Sequence, residues 1–188
     1  MPQTLRVHDL DFQPYLAESD IQERVRTLAA RINLDYEGKN PVFVAVLNGA
    51  FMFAADLFRH VAIACEITFI KVASYEGTES TGQVNELIGM GMSVADRHVV
   101  VVEDIVDSGK TMQVILAQLE GMQVASVNIA SLLLKPERLQ FPVDIAYLGF
   151  EVPDKFLLGY GLDYDGQGRN LRDIYEPLSS DTVSPPGS

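Results

Sequence analysis

Residues 98–111 read His-Val-Val-Val-Val-Glu-Asp-Ile-Val-Asp-Ser-Gly-Lys-Thr, and the character of the chain changes three times along them. Val99 to Val102 is an uninterrupted β-branched run. It lacks the alternation of a half-exposed strand and predicts a parallel strand buried on both faces, central to its sheet. Glu103, Asp104 and Asp107 follow at its carboxyl end, where open α/β sheets bind ligands. Ser108-Gly109-Lys110-Thr111 then leads into Met112 to Leu119, whose apolar spacing suits a helix.

The first turn of that helix offers unpaired N–H groups and the positive end of a helix dipole, which predicts an anion site at Ser108 to Thr111. The acids one loop upstream would repel a phosphate, but they accept hydrogen bonds from sugar hydroxyls. A ribose 5-phosphate satisfies both halves. Gly-Lys-Thr also ends a Walker A loop, but that loop needs a glycine five residues before Gly109, and this chain has Asp104 there. Taken alone, the segment also fits an ordinary strand-turn-helix with solvated acids. As a whole, Val99 to Thr111 resembles the phosphoribosyl pyrophosphate (PRPP) motif of type I phosphoribosyltransferases, and more narrowly it is similar to the hypoxanthine-guanine enzymes.

Upstream, Ile21, Val25, Leu28 and Ile32 recur along one helical face, with Ser19 and Gln22 at capping-box spacing. The turn Gly38-Lys39-Asn40-Pro41 precedes Val42 to Leu47, a second candidate buried strand, and Phe51 to His60 reads as a helix. Leu47 to Leu57 resembles the family's pyrophosphate loop, in which a lysine usually precedes the glycine and the peptide bond before it is cis when ligand is bound. Asn48 stands here in place of the lysine. The resemblance implies that Asn48 and Gly49 meet pyrophosphate through the backbone. Ile67 to Val72 predicts a third strand, and the polar, glycine-bearing stretch from Ser74 to Gln83 predicts a mobile loop. Its Ser74-Tyr75 pair is similar to the start of the family's lid, which shields the reacting centre from water.

Downstream, the apolar run Val124 to Leu134 should end in a strand. Ser131 to Lys135 is similar to the family segment whose lysine reaches the purine, and Tyr147 to Tyr164 is a second close match. There Phe156 would stack on the base, the Leu157 backbone would bind the purine edge, and Asp163 would be a metal-associated acid. Arg169 would approach pyrophosphate. Judged singly, a lysine ending a strand is solvated, a phenylalanine is core and an aspartate beside glycines is a turn residue. Only the resemblance assigns them chemistry. It likewise implies that Glu103 and Asp104 orient the ribose and lie near the metal, and that Asp107 is the general base.

The length of 188 residues with 47% apolar and 21% charged residues fits one domain with a substantial core. The net charge of −12 opposes a general nucleic-acid or anionic-membrane surface. Cys65 is the only cysteine, so no intramolecular disulfide forms, and His8, His60 and His98 make no metal-ligand spacing with it. No apolar stretch reaches the roughly 20 residues that span a bilayer, and the N-terminus lacks the order of a signal peptide, so a cytoplasmic protein is expected.

The resemblance implies an α/β fold of the type I phosphoribosyltransferase kind, a parallel sheet flanked by helices with a small hood from the terminal segments. One domain over residues 1–176 is expected, with an edge strand near Leu5 to Val7 and a disordered tail over 177–188. The implied activity joins hypoxanthine or guanine to PRPP with Mg²⁺ in a homodimer or homotetramer. A regulatory RNA-binding or partner-binding protein on the same fold is the alternative. Asp107, Lys135, Asp163 and the acidic balance favour the enzyme.

Overall fold

The computed structural model describes residues 4–75 and 84–178, with 73–75 and 84–88 described by backbone alone. In chain order the elements are β1 (Leu5–Val7), β2 (Leu10–Leu16), α1 (Glu18–Asp35), β3 (Val42–Val46), α2 (Phe51–His60), β4 (Glu66–Tyr75) and β5 (Val84–Ile88). Then come β6 (His98–Val106), α3 (Lys110–Gly121), β7 (Ser126–Leu134), a single 3₁₀ turn (Pro136–Arg138), β8 (Tyr147–Glu151) and β9 (Ile174–Pro177). The main sheet has the order β5-β4-β3-β6-β7-β8, parallel throughout except where β5 pairs antiparallel with β4. The terminal segments make a second, antiparallel sheet, β1-β2-β9.

The unbroken valine run is two interleaved alternations. Phe43, Ala45, Val100, Val102, Ala130 and Leu132 pack with α1 and α2 on one face. Val42, Val44, Val46, Val99, Val101 and Ile129 pack with Met112, Ile115 and Leu119 of α3 on the other. Burying each such side chain contributes about 1.5–3 kcal/mol, so β3 and β6 gain on both faces and lie at the centre. The chain steps outward from β3 to β4 on one side and from β6 through β7 to β8 on the other. The order therefore reverses between β3 and β6, the switch point where α/β sheets open a ligand crevice at their carboxyl ends.

Three local expectations change. Helix α1 begins one residue before Ser19, so Ser19 cannot cap it; the N-cap is Ala17, and the Glu18 amide donates to Asp173 Oδ1 at 2.7 Å. The helix start is satisfied from the far end of the chain. Strand β4 runs on past Val72, pairing Ser74 with Asn85 and Tyr75 with Val84. Ser74 and Tyr75 are thus ladder residues, held by a partner strand that was not anticipated, while residues 76–83 of the predicted loop lie outside the described residues. Strand β9 reaches Pro177, and the Leu178 amide donates to the Asp11 carbonyl at 2.9 Å. The stretch assigned to a tail therefore begins with Pro177 in the small sheet and Leu178 bonded to it, and 179–188 lie outside the described residues. No helix among the described residues is long and apolar enough to cross a membrane.

Candidate active site

The loop after β3 carries a cis peptide bond between Leu47 and Asn48, and the Asn48 side chain is exposed. Gly49 follows because nothing larger fits: a Cβ there would overlap the Asp104 carboxylate. A Cβ at Gly161, where φ is +101°, would in turn overlap the Gly49 carbonyl. Glycine is required twice, and the result is a stack of three segments far apart in sequence: the 48–49 loop, the end of β6 and the 156–169 segment.

Glu103 and Asp104 are 6% and 9% exposed at the switch point. Glu103 Oε2 is buried and has no hydrogen-bond partner among the described residues. Burial, and then the neighbouring Asp104 charge, push the Glu103 carboxyl well above the usual carboxylate range. An acceptor left unmatched in a folded core is costly, and here it sits where a ligand would enter.

Gly109 is the N-cap of α3 with φ +83°, and a Cβ would meet the Phe141 carbonyl at 2.5 Å. The Ser108 carbonyl accepts from the amides of Gln140 (3.0 Å) and Phe141 (3.1 Å), while Ser108 Oγ accepts from the Lys110 amide at 3.4 Å. The loop is therefore strapped to the 140–141 segment. The Gln113 amide, bonded to Gly109 O at 3.0 Å, opens the regular helical pattern, and the first-turn amides before it point toward the loop. Within the anion site expected at Ser108 to Thr111, Gly109 has a backbone conformation and a neighbouring carbonyl that exclude other residues.

Lys135 ends β7 beside Asp107. Its amide donates to the Val106 carbonyl at 3.0 Å, and its side chain is nearly buried. Lys135 Nζ lies 3.8 Å from Asp107 Oδ2 and 3.6 Å from Asp154 Oδ1. Arg138 completes the group: its Nε donates to Asp107 Oδ1 at 2.8 Å, and its Nη1 lies 3.6 Å from Asp154 Oδ2. Neither Arg138 nor Asp154 was singled out in the sequence. The available signal was Pro136, which starts a 3₁₀ turn in which positions three apart eclipse, so Arg138 returns to the side of Lys135.

Phe156 meets Tyr164 edge-to-face at 5.6 Å and Phe12 of the small sheet at 6.4 Å, which braces one side of its ring. Leu157 is buried. Asp163 Oδ1 pairs with Arg169 Nη2 at 2.6 Å, its Oδ2 accepts from the Gly166 amide at 2.8 Å, and Arg169 Nη1 donates to the Gly161 carbonyl at 2.7 Å. Tyr160 OH donates to Asp56 Oδ2 at 2.7 Å, tying this segment to α2. Among the described residues no three His, Cys, Asp or Glu side chains converge into a metal-holding group. Glu103, Asp104 and Asp163 are thus not a preassembled metal centre.

Comparisons with known proteins give the family and the fold. The family model described as Phosphoribosyl transferase domain matches residues 15–165. The chain is 40% identical over 157 residues to a hypoxanthine-guanine phosphoribosyltransferase of Staphylococcus aureus, covering 83% of this chain and 88% of that one. It is also 40% identical to the Bifunctional protein TilS/HprT of Listeria monocytogenes, of whose length it spans 24%. A solved hypoxanthine phosphoribosyltransferase from Staphylococcus aureus superposes with a TM-score of 0.80 at 37% identity, covering 92% of this chain and 94% of that one. With the switch-point crevice, the acid pair and the anion-type helix start in the order that the motif predicts, the chain belongs to the phosphoribosyltransferase family, among its hypoxanthine-guanine members.

Proposed function

We propose that this chain transfers the 5-phosphoribosyl group of PRPP to N9 of hypoxanthine or guanine, giving IMP or GMP and pyrophosphate. The observation that carries the reading is the placing of Asp107 and Lys135 at the adjacent carboxyl ends of β6 and β7, with Asp107 directly before the loop that opens α3. The 5-phosphate is held at Ser108, Gly109, Lys110 and Thr111. The ribose hydroxyls donate to Glu103 and Asp104, which supplies the unmatched Glu103 oxygen with a partner.

Pyrophosphate lies against the Asn48 and Gly49 backbone, with Arg169 adjacent through Gly161. Lys135 donates to the purine O6, Phe156 stacks on the ring and Leu157 frames its edge. The N9 lone pair forms the new bond to C1 as the bond from C1 to pyrophosphate oxygen breaks, its electrons leaving with pyrophosphate. Asp107 takes the N7 proton. Ser74 and Tyr75 sit at the end of β4 from which a lid over the reaction would start.

The residues fit a Mg²⁺ carried by the substrate. Asp163 offers hard oxygen donors at a partly exposed position, and this ion is commonly held by one or two carboxylates plus substrate phosphates rather than by a protein cage. Asp163, Glu103 and Asp104 would hold it together with the substrate's own oxygens, and when bound it would neutralise charge developing on the leaving pyrophosphate. The same reading places the protein in the cytoplasm as a homodimer or homotetramer, with neither nucleic acid nor membrane as partner. IMP and pyrophosphate formation from PRPP and hypoxanthine is the test. No product, together with RNA retention at physiological salt, would replace the enzyme with a regulatory binder.

A further inference from the structure

Four charges close a ring at the purine end of the site. Asp107 bonds Arg138 through Oδ1 (2.8 Å) and approaches Lys135 through Oδ2 (3.8 Å). Asp154 approaches the same two cations, Lys135 at 3.6 Å and Arg138 at 3.6 Å. The charges alternate and sum to zero. The contacts are unequal, however: the shortest, from the Arg138 Nε–H, falls on the carboxylate that must receive the purine N7–H. Arg138 and the substrate present the same kind of donor to the same acceptor.

We propose that Arg138 is a built-in competitor for Asp107, and that Asp154 is the positioning residue that holds both cations when the purine takes Asp107 over. The proposal rests on the phosphoribosyltransferase reading of the site. Its physical basis is that the charge-assisted bond from Arg138 draws on the negative charge of Asp107 and makes it a weaker acceptor and base for a second donor, so the two donors compete for one carboxylate. Arg138 is well placed to leave. Its side chain is 47% exposed, against 11% for Lys135, so its charge is readily rehydrated. Lys135 stays in place because its stem is buried and Asp154 remains beside it. Purine selection thus includes a displacement: a base with a donor at N7 and an acceptor at C6 replaces Arg138 on one side and engages Lys135 on the other. A base lacking either feature leaves the ring closed.

The two residues should respond in opposite directions. Arg138→Met removes the competitor while keeping most of the stem, and should lower the KM for hypoxanthine about three- to tenfold with KM for PRPP unchanged. Asp154→Asn leaves Arg138 with Asp107 as its single carboxylate and deprives Lys135 of a neighbour, and should raise the hypoxanthine KM several-fold. In the double variant, much of the increase due to Asp154→Asn should vanish, a coupling that two independent structural defects would not give. Hypoxanthine affinity, measured by calorimetry on the same proteins, should follow the same order. Wild-type turnover with a hypoxanthine KM unchanged or raised in a folded Arg138→Met protein overturns the competition alone. If the wild type binds hypoxanthine without turnover, tighter hypoxanthine binding by Arg138→Met supports the proposal and unaltered binding overturns it. A wild type that neither turns over nor binds hypoxanthine overturns the phosphoribosyltransferase reading and the competition with it.

Discussion

The two ends of β6 and β7 are built from the same strands and could hardly differ more. At the amino ends the polar groups are answered: His98 Nδ1 lies 2.7 Å from Ser126 Oγ, Asn128 Nδ2 donates to Tyr36 OH at 2.8 Å, and Tyr147 OH donates to Asp35 Oδ2 at 2.9 Å. At the carboxyl ends, among the described residues, Glu103 keeps a buried oxygen with no partner and Lys135 makes two long ion pairs, at 3.8 and 3.6 Å. A satisfied polar cluster stabilises and orders a fold, whereas unsatisfied charge costs stability and is retained where a ligand can complete it. The difference separates the end that holds the sheet together from the end that acts.

The sharpest way to break this contrast is at Asp107. Asp107→Asn should cut kcat by about 10² to 10⁴, the ordinary worth of a general base, while thermal melting shows little change because the side chain is 41% exposed. A turnover loss below tenfold in steady-state kinetics would remove Asp107 from the chemistry.

Lys135 comes next. Its ammonium has three donors and no acceptor, so it meets the O6 of a 6-oxopurine and opposes the amino group of adenine. Sites that read a polar group in this way discriminate by about 10⁴ to 10⁵, against about 10- to 200-fold for apolar shape. The ratio of kcat/KM for hypoxanthine over adenine should therefore collapse by at least about 100-fold in Lys135→Ala. A ratio untouched by the substitution would assign purine reading to another residue.

At the amino end the prediction inverts. Tyr36→Phe removes the hydroxyl that answers Asn128 and should cost about 1–2 kcal/mol, lowering Tm by about 2–8 °C for a chain of this size. The kcat/KM should stay within twofold; a larger kinetic loss would show that the two ends are coupled.

The smallest effect is expected at Glu103. Its folded pKa is raised by burial and by Asp104, so the folded state is favoured while the carboxyl is protonated. It loses stability as pH rises from the ordinary carboxylate range through the raised folded value. Glu103→Gln should therefore gain a few degrees in Tm at pH 7 and almost nothing at pH 4, at the expense of PRPP affinity. Equal Tm differences at both pH values would mean that the charge is not what costs stability.

Much of the fold was legible in short stretches. Phe51–His60 and Leu5–Val7 were read with the bounds that the structure shows, and Val42 to Leu47 and Val99 to Val102 were read as buried strands. Each is recorded by local periodicity and punctuation. What escaped was held by distant partners: Asp173 at the start of α1, Asn85 and Val84 beside Ser74 and Tyr75, Asp11 against Leu178. Local propensity contains no term for a partner on another element.

The same division runs through the site. By itself the sequence determined the strand-acid-loop-helix unit, because a β-branched run, clustered carboxylates and Ser-Gly-Lys-Thr follow one another without a gap. It also determined which residues resemble the family's purine and pyrophosphate contacts. Only the tertiary structure decided that Gly49 lies against Asp104, that Gly161 lies against Gly49, and that Arg138 and Asp154 close a ring around Asp107 and Lys135. Those contacts join residues from 16 to 112 positions apart, with the exception of the 3₁₀ turn that returns Arg138 to Lys135. Close packing at one switch point, rather than the character of any one segment, makes them.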